Sequence, residues 1–317
     1  MGTSSARTSG IQTSSTQASS IRTSSIPASS IQTMTGDLQR VLVCPPRNAG
    51  WDREEKAAKW RELGFHHPPD FAAAQMEHDS LCRLLTAAGA EIVRLNSSPE
   101  LTLDAVYTHD ASLPTDNGLI LLNPAKPNRV AESQCHASIS AALGIPVLGE
   151  ITPPGTAEGG DIVWLDAQTV LIGHGYRTNR AGIEQMRALL AASGVEVLAA
   201  PLPYGPGPSA CLHLMSLMNM LDERTILVDL AWLAVETVEL FRSRAFRLLE
   251  IDPGERDSLA CNVLALGGRR LIALEQNART NERLRQAGFD VGTFSGAELC
   301  LNGSGGPTCL TRPLVRR

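Results

Sequence analysis

The chain has 317 residues, is 43% hydrophobic and carries a formal net charge of −5, so it has enough apolar sequence for a sizeable core. It has no long run of Lys or Arg and therefore lacks the basic surface that nucleic acid or an anionic membrane needs. It also has no run of about 18 apolar residues that could span a membrane. We therefore expect the partner to be a small molecule.

The seven cysteines are scattered along the chain without a Cys-x-x-Cys pair. An odd number in a chain of this length does not suit a disulfide framework and is typical of a reducing compartment. We expect a cytoplasmic protein, and the sequence leaves a homodimer open.

The first 36 residues are rich in Ser and Thr, contain no acidic residue and repeat Ser-Ser-Ile at five-residue spacing. This composition offers too little apolar surface to fold, so we predict a disordered tail over 1–36 and a catalytic domain over 37–317. The tail lacks the apolar segment of a secretory signal, although its composition weakly resembles an organelle transit peptide. A second interpretation is that translation starts at Met34.

From residue 38 onward, apolar strands alternate with helices, and one pattern recurs: an apolar helix end, a glycine, then a strand. The glycines are Gly89, Gly144, Gly194 and Gly288, at separations of 55, 50 and 94 residues. The last gap is about two repeats long, so one unit lacks its glycine, and the segment around Phe246 fills that place. Five such units either stack or close into a ring. Closure with the helices outside buries both the helix faces and the strands.

Polar side chains that could carry chemistry recur with the same period. They are Asp110, Glu158, His213, Asn262 and Cys309, separated by 48, 55, 49 and 47 residues. In a closed ring, residues at equivalent positions of each unit converge on the axis. We therefore expect two carboxylates, an imidazole, an amide and a thiol to meet in one site.

These residue types point to a particular chemistry. Cys309 attacks as a thiolate, which a nearby imidazolium or a cationic substrate favours. His213 can give a proton to a leaving amine and then take one from water. The carboxylates of Asp110 and Glu158 are costly to bury without a positive partner, and a planar guanidinium matches them well. The sequence therefore favours a guanidine as substrate.

The motifs "YTHD", "EGGD", "GYRTN", "HLMS", "CNVLAL" and "GGPTC" occur in this order over residues 38 to 317. In order and spacing they resemble the dimethylarginine dimethylaminohydrolases and the wider superfamily of guanidino-modifying enzymes, which includes arginine deiminases and amidinotransferases. The resemblance implies a five-bladed α/β propeller, or pentein, built from ββαβ repeats. It also implies a catalytic set of Cys309, His213 and Glu158.

The resemblance further implies which residues hold the substrate. Asp104 and Asp110 match positions that bind the guanidinium, and Asp161 closes the "EGGD" motif as a further substrate-binding candidate. Arg129 and Arg177 match arginines that hold the substrate carboxylate. The implied mechanism proceeds through an S-alkylthiouronium on the cysteine and gives a citrulline-type product and an amine. It requires no metal and no organic cofactor.

One departure bears on the substrate. Deiminases and amidinotransferases of this superfamily tend to carry an Asp two residues after the catalytic histidine, where it grips a guanidinium nitrogen. Here that position is Met215. A thioether offers an apolar, adaptable surface that would suit an alkylated nitrogen, or it could instead face the core.

Several alternatives stay open at this point. Hydrolysis of arginine to citrulline or ornithine and amidino transfer to an acceptor amine would use the same intermediate. A propeller that only binds ligands is a different class, which the presence of cysteine, histidine and carboxylates in phase disfavours. A zinc hydrolase is disfavoured because "CLH" at 211–213 lacks a second ligand pair at metal spacing.

Overall fold

The computed structural model describes residues 1–2 and 31–317 of the chain. In this part, fifteen strands form five separate three-stranded sheets, and helices connect strands within the sheets. Among the described residues, no helix is long and apolar enough to cross a membrane.

The strands are β1 (Leu38–Val43), β2 (Glu91–Arg94), β3 (Ser112–Thr115), β4 (Gly118–Leu121), β5 (Val147–Glu150), β6 (Ile162–Asp166), β7 (Thr169–His174), β8 (Glu196–Pro201), β9 (Met218–Asp222), β10 (Thr225–Val228), β11 (Arg247–Glu250), β12 (Leu264–Gly267), β13 (Arg270–Leu274), β14 (Asp290–Phe294) and β15 (Arg312–Arg316). The helices are α1 (Pro46–Ala49), α2 (Glu54–Ala57), α3 (Trp60–Leu63), α4 (Phe71–Ala87), α5 (Val130–Ala142), α6 (Arg180–Ala191), α7 (Val235–Ser243) and α8 (Ala278–Gln286).

All five sheets share one connection pattern. An antiparallel pair is followed by a helix and then by a third strand parallel to the middle one, as in β3-β4-β5, β6-β7-β8, β9-β10-β11 and β12-β13-β14. The remaining sheet, β15-β1-β2, takes its first strand from the end of the chain, so that Val41 pairs with Pro313. The predicted α/β fold of five ββαβ repeats is therefore confirmed at the level of the sheets.

The predicted glycines terminate the helices for a backbone reason. Gly89, Gly144, Gly194 and Gly288 all have a φ between 69° and 92°, the left-handed region in which a side chain is unfavourable. In the unit without a glycine, Ala245 occupies this position with a φ of 58°. The repeat therefore keeps the turn even where it has lost the residue that favours it.

The core is shared between neighbouring sheets. The middle strands β4, β7, β10 and β13 are buried over nearly their whole length, whereas the outer strands β2, β5 and β11 are only half buried. Strands of neighbouring sheets touch, with β15 against β3, β6 against β9, β9 against β12 and β12 against the middle strand β1. Strand contacts therefore link four of the five pairs of neighbouring sheets.

The predicted tail ended at residue 36, but residues 31–36 lie against the body of the protein. The Gln32 amide donates to the carbonyl of Ala167 at 2.7 Å, and Arg316 donates to the carbonyl of Gly36 at 2.7 Å. Met34 packs against two of the hydrophobic clusters. The ordered chain therefore begins before the predicted boundary. The disorder predicted for residues 3–30 lies outside the described residues and stays a prediction.

Candidate active site

The site is built from the short turns that lead into the first strand of each sheet. The turns Thr108–Ala111, Gly159–Asp161 and Leu214–Ser216 precede β3, β6 and β9. Asn262 and Cys309 lie just before β12 and β15. The equal phase seen in the sequence thus corresponds to one structural position repeated five times.

His213 and Glu158 form the central pair. Nε2 of His213 lies 2.7 Å from Oε2 of Glu158, and both side chains are almost completely buried. The other oxygen of Glu158 accepts the backbone N–H of Ala125 at 2.9 Å. Gly160 lies under the imidazole so closely that a Cβ there would stand 2.6 Å from Nδ1. The ring is held in one orientation.

The charges around His213 favour its protonated form. Burial alone would lower the pKa of this imidazole, but the negative charges of Asp110, the Cys211 thiolate and Asp161 together raise it well above its usual value. These charges favour a protonated His213, which can donate a proton.

Cys309 contacts Asn262. Nδ2 of Asn262 donates to the sulfur at 3.0 Å, while its Oδ1 accepts the backbone N–H of Thr308 at 3.0 Å. Burial and the negative charge of Asp110 raise the pKa of the Cys309 thiol to about 12, against the opposing effects of His213 and Asn262. Cys309 is partly exposed, whereas the other four residues of the set are buried, and its raised pKa favours the neutral thiol.

The glycines before Cys309 make room for side chains. A Cβ on Gly303 or Gly305 would overlap the ring of Tyr107, and one on Gly306 would lie 2.6 Å from the Asn262 amide carbon. These glycines let the segment approach Tyr107 and the residue that holds the thiol.

Asp110 and Arg129 form a buried ion pair. Nη1 of Arg129 lies 2.6 Å from Oδ2 of Asp110, and Oδ1 accepts the backbone N–H of Gly160 at 2.9 Å. Arg129 also donates to both oxygens of Glu132 and to the carbonyl of Tyr107. Four of its five N–H donors are thus taken by the protein. Arg129, predicted to hold a substrate carboxylate, is instead the counter-ion of Asp110 and Glu132 in this structure.

Asp104, predicted to bind the guanidinium, has cationic and amide partners of its own. Its Oδ2 lies 3.1 Å from Nζ of Lys126 and accepts from Nδ2 of Asn128 at 2.9 Å. A substrate would have to share or replace these donors at that oxygen. The prediction for Asp104 therefore depends on its other oxygen or on a movement of Lys126.

Arg177 contacts the carboxylate of the central pair. Its Nη1 donates to the two oxygens of Glu158 at 3.2 and 3.0 Å, and the residue is 5% exposed. No bond from its Nε or Nη2 is found among the described residues. Of the two predicted carboxylate-binding arginines, Arg177 thus has more N–H donors left than Arg129.

Asp161 contacts the turn that follows His213. The side chain is fully buried, its Oδ1 accepts the backbone N–H of Leu214 at 2.8 Å, and Oδ2 has no partner among the described residues. Burial raises the pKa of this carboxyl to about 6. Its contact with Leu214 fixes the turn that follows His213, so the geometry gives Asp161 a positioning role where a substrate contact was predicted.

Met215 faces the core. It is 2% exposed and belongs to a hydrophobic cluster with Val163, Leu171 and Phe241. The thioether therefore offers no apolar surface to a bound guanidinium. Position 215 still differs from the Asp of deiminases and amidinotransferases in that it supplies no carboxylate to the site.

Three of the predicted residues are close enough to hold a cation. Oxygen atoms of Asp110 and Glu158 and a ring nitrogen of His213 all lie within 4.8 Å of one another. Their acceptor atoms, however, already receive N–H bonds from Arg129, Arg177 and backbone groups, and the imidazole carries a positive charge. This donor set suits a planar cation that can share these hydrogen bonds better than a metal ion.

Sequence reasoning placed Asn262 in the site without a role, and it named neither Glu132 nor Cys211 as a site residue. Asn262 was in phase with the others, and its amide proves to contact Cys309. Glu132, in the first turn of α5, lies three residues after Arg129, which precedes this helix, and the two form an ion pair. Cys211 is an exposed thiol whose sulfur lies 4.0 Å from Nδ1 of His213.

Comparison with known proteins gives one consistent answer. A curated relative from Streptomyces coelicolor, named N(G),N(G)-dimethylarginine dimethylaminohydrolase, is 29% identical over 247 residues, which cover 76% of this chain and 86% of the relative. The crystal structure of a dimethylarginine dimethylaminohydrolase adduct matches with a TM-score of 0.68 and 25% identity, covering 86% of this chain and 98% of that one. The amidinotransferase SxtG from Microseira wollei shares the fold, with a TM-score of 0.72, 19% identity, and coverage of 90% and 96%.

The family model for arginine deiminase matches residues 102–245 and 251–316. These segments contain all five turns that carry the site residues, from Asp110 to Cys309. Together with the relatives above, this match places the protein in the superfamily of dimethylarginine dimethylaminohydrolases and amidinotransferases. The relatives support hydrolysis of a guanidino group as its activity. The chain belongs to the arginine deiminase family.

Proposed function

We propose that this protein hydrolyses a C–N bond in the guanidine of an arginine-type amino acid, with N-methylated arginine as the first candidate, through a covalent intermediate on Cys309. The observation that carries the proposal is the buried contact between His213 and Glu158, which lie in the same repeated turns as the Cys309 thiol and its partner Asn262. These turns thus supply a nucleophile, a proton donor and an orienting carboxylate.

The first step begins with the charge of the substrate. A guanidinium bound beside Asp110 brings a positive charge to the site and lowers the pKa of Cys309, so the thiol releases its proton to solvent and becomes a thiolate. The sulfur attacks the guanidinium carbon and forms a C–S bond. The C–N bond to the leaving nitrogen then breaks, and that nitrogen leaves as an amine with a proton from His213.

The second step regenerates the enzyme. His213, now neutral, takes a proton from water, and the hydroxide attacks the carbon of the thiouronium. The C–S bond breaks, Cys309 is released, and the product is a ureido amino acid. Asn262 supports both steps because its amide donates to the sulfur that carries the changing charge.

Substrate binding is divided among the predicted residues. In our proposal Asp110 faces the guanidinium and Arg177 holds the α-carboxylate through its remaining N–H groups. Arg129 and Asp161 act as positioning residues, because their contacts are with Asp110 and with the turn after His213.

We further propose that the five sheets close into a five-bladed propeller around this site. Contacts between strands of neighbouring sheets support closure, since β12 of the last sheet touches β1 of the first and β15 touches β3. The β15-β1 pairing joins the first and the last strand of the chain in one sheet, which would lock such a ring.

A second candidate is the hydrolysis of arginine itself. The match to the arginine deiminase model favours it. Met215, buried in the core, also removes the apolar contact that would have favoured a methylated nitrogen. The missing carboxylate at that position still disfavours arginine, whose terminal nitrogen offers more N–H groups to satisfy.

The test is kcat/KM for arginine, its mono- and dimethylated forms and agmatine, with identification of the amine released. We expect a methylated arginine to be the best substrate and agmatine to be poor, because it lacks the carboxylate for Arg177. Arginine preferred over its methylated forms would move the assignment to the second candidate. Agmatine as the best substrate would contradict the role of Arg177, and turnover by Cys309→Ser would contradict the nucleophile.

A further inference from the structure

A second thiol lies at the same imidazole as the proposed nucleophile. Cys211 precedes His213 by two residues, and its sulfur lies 4.0 Å from Nδ1, the ring nitrogen opposite the Glu158 contact. Sulfur, imidazole and carboxylate thus form a continuous series, which is the arrangement that activates a cysteine. The proposed mechanism makes no use of Cys211.

Cys211 is more exposed as a residue than Cys309. Cys211 is exposed, whereas Cys309 is partly buried. Cys211 lies in an irregular segment between β8 and β9 that is rich in glycine and proline, in which Gly205 and Gly207 both have positive φ values. The residue thus borders solvent, while its sulfur packs against the ring of His213.

The surrounding charges favour a thiolate at Cys211. Burial of the sulfur opposes its ionisation, but His213 and Arg177 outweigh this effect and lower the pKa of the thiol below its ordinary value of 9.0. The negative charge of Asp110 acts in the opposite direction and raises the pKa of Cys211. A negative charge on Cys211 in turn raises the pKa of Cys309. The pKa of Cys309 is raised to about 12, so Cys211 ionises at a lower pH than Cys309 does.

We propose that Cys211 is a modification site: in the substrate-free protein its thiolate, paired with His213, reacts with hydrogen peroxide and with alkylating reagents before Cys309 does. In the reaction with peroxide, the sulfur attacks one oxygen, an S–O bond forms and the O–O bond breaks. Hydroxide leaves and takes a proton from solvent. The sulfur is oxidised by two electrons to a sulfenic acid, and the peroxide is reduced to water.

Oxidation of Cys211 affects turnover because its sulfur lies next to His213. A sulfenic acid on Cys211 lies against Nδ1 of His213, the nitrogen that faces away from Glu158 and that would deliver the proton to the leaving amine. Modification therefore blocks proton transfer, and a thiol reductant restores it. This consequence rests on the proposed function, whereas the preference for Cys211 over Cys309 does not.

The first measurement is peptide mapping by mass spectrometry after a limiting dose of iodoacetamide near neutral pH. We expect Cys211 to be labelled at least about tenfold faster than Cys309 in the wild type, and equally fast in Cys309→Ser. Cys135, which is partly exposed and whose pKa is raised by burial, serves as the internal reference and should react slowly. Labelling of Cys309 before Cys211 would overturn the proposal.

The second measurement follows activity during exposure to hydrogen peroxide, each protein being compared with its own starting rate. We expect Cys211→Ser to be inactivated at least about tenfold more slowly than the wild type and than the matched variant Cys135→Ser, with dithiothreitol restoring the wild type. Equal inactivation of Cys211→Ser and wild type would overturn the proposal. A protein that proves inactive on every guanidine would contradict the proposed function alone, because the labelling order is read without turnover.

Discussion

At the scale of single residues, Asp161 shows how position decides the role of a carboxyl group. It accepts the N–H of Leu214, while its second oxygen is buried without a partner among the described residues. Burial raises its pKa from an ordinary 3.8 to about 6. A carboxyl whose pKa is raised by folding stabilises the protein below its unfolded pKa, and this contribution is lost as the pH rises through the folded pKa.

Asp161→Asn keeps the acceptor for Leu214 and cannot ionise. We expect the wild type to lose up to about 3 kcal/mol of unfolding free energy relative to this variant as the pH rises from about 4 to about 8. Urea unfolding of both proteins across this range measures the difference. A constant difference between the two would show that Asp161 does not titrate in the folded protein.

Residue positions were easier to predict than residue partners. Cys309, His213 and Glu158 followed from their common phase, because a repeated turn places equivalent residues together. The direction of the Met215 side chain and the four bonds of Arg129 did not follow, because they depend on which neighbours fill the space around them. Repetition in the sequence carries no such information.

At the scale of elements, the helix ends were predictable because a left-handed residue after a helix is usually glycine. The one exception is Ala245, which adopts a φ of 58° at the end of α7. The sequence located this unit by its spacing alone. It could not show that the turn survives without glycine, since that depends on the packing of the next strand.

Ala245 and the glycines at the equivalent positions allow a paired test, in which each residue type is replaced by the other. We expect Ala245→Gly to raise the unfolding free energy by roughly 0.5–1 kcal/mol, because glycine adopts this conformation without strain. Gly194→Ala should lower it by a similar amount, since a Cβ there meets no atom within 4 Å and only the backbone is affected. Denaturant unfolding of both variants checks the pair. Destabilisation by Ala245→Gly would show that the alanine methyl group packs more favourably than the strain costs.

At the scale of the whole molecule, the segment 31–36 and the last strand meet at the first sheet. β15 pairs with β1, and the segment 31–36 crosses from residue Asp116 to the end of the chain. Composition could not reveal this segment, because its sequence, Ile-Gln-Thr-Met-Thr-Gly, contains no acidic residue, like the predicted tail before it. Its hydrogen bonds and the packing of Met34 show that it belongs to the folded domain.

Two truncated chains distinguish the contribution of residues 1–30 to stability from that of the segment 31–36. A chain that begins at residue 31 should keep the thermal midpoint of the full protein. A chain that begins at residue 37 should lose a few kcal/mol of unfolding free energy and have a lower thermal midpoint. Arg316 and the carbonyl of Ala167 lose their hydrogen-bond partners in this chain, and the contacts of Met34 with its clusters are removed. Thermal unfolding of the three proteins measures this. Equal midpoints for all three would mean that the segment contributes nothing to stability.

The central claim is that Cys309 forms a covalent bond to the guanidine carbon of the substrate. Acid quenching during turnover, followed by peptide mapping by mass spectrometry, tests it most directly. We predict that the peptide containing Cys309 carries the mass of a thiouronium adduct in the wild type, and that no adduct forms in Cys309→Ser. Turnover without an adduct on Cys309, or an adduct on Cys211 in its place, would contradict the account.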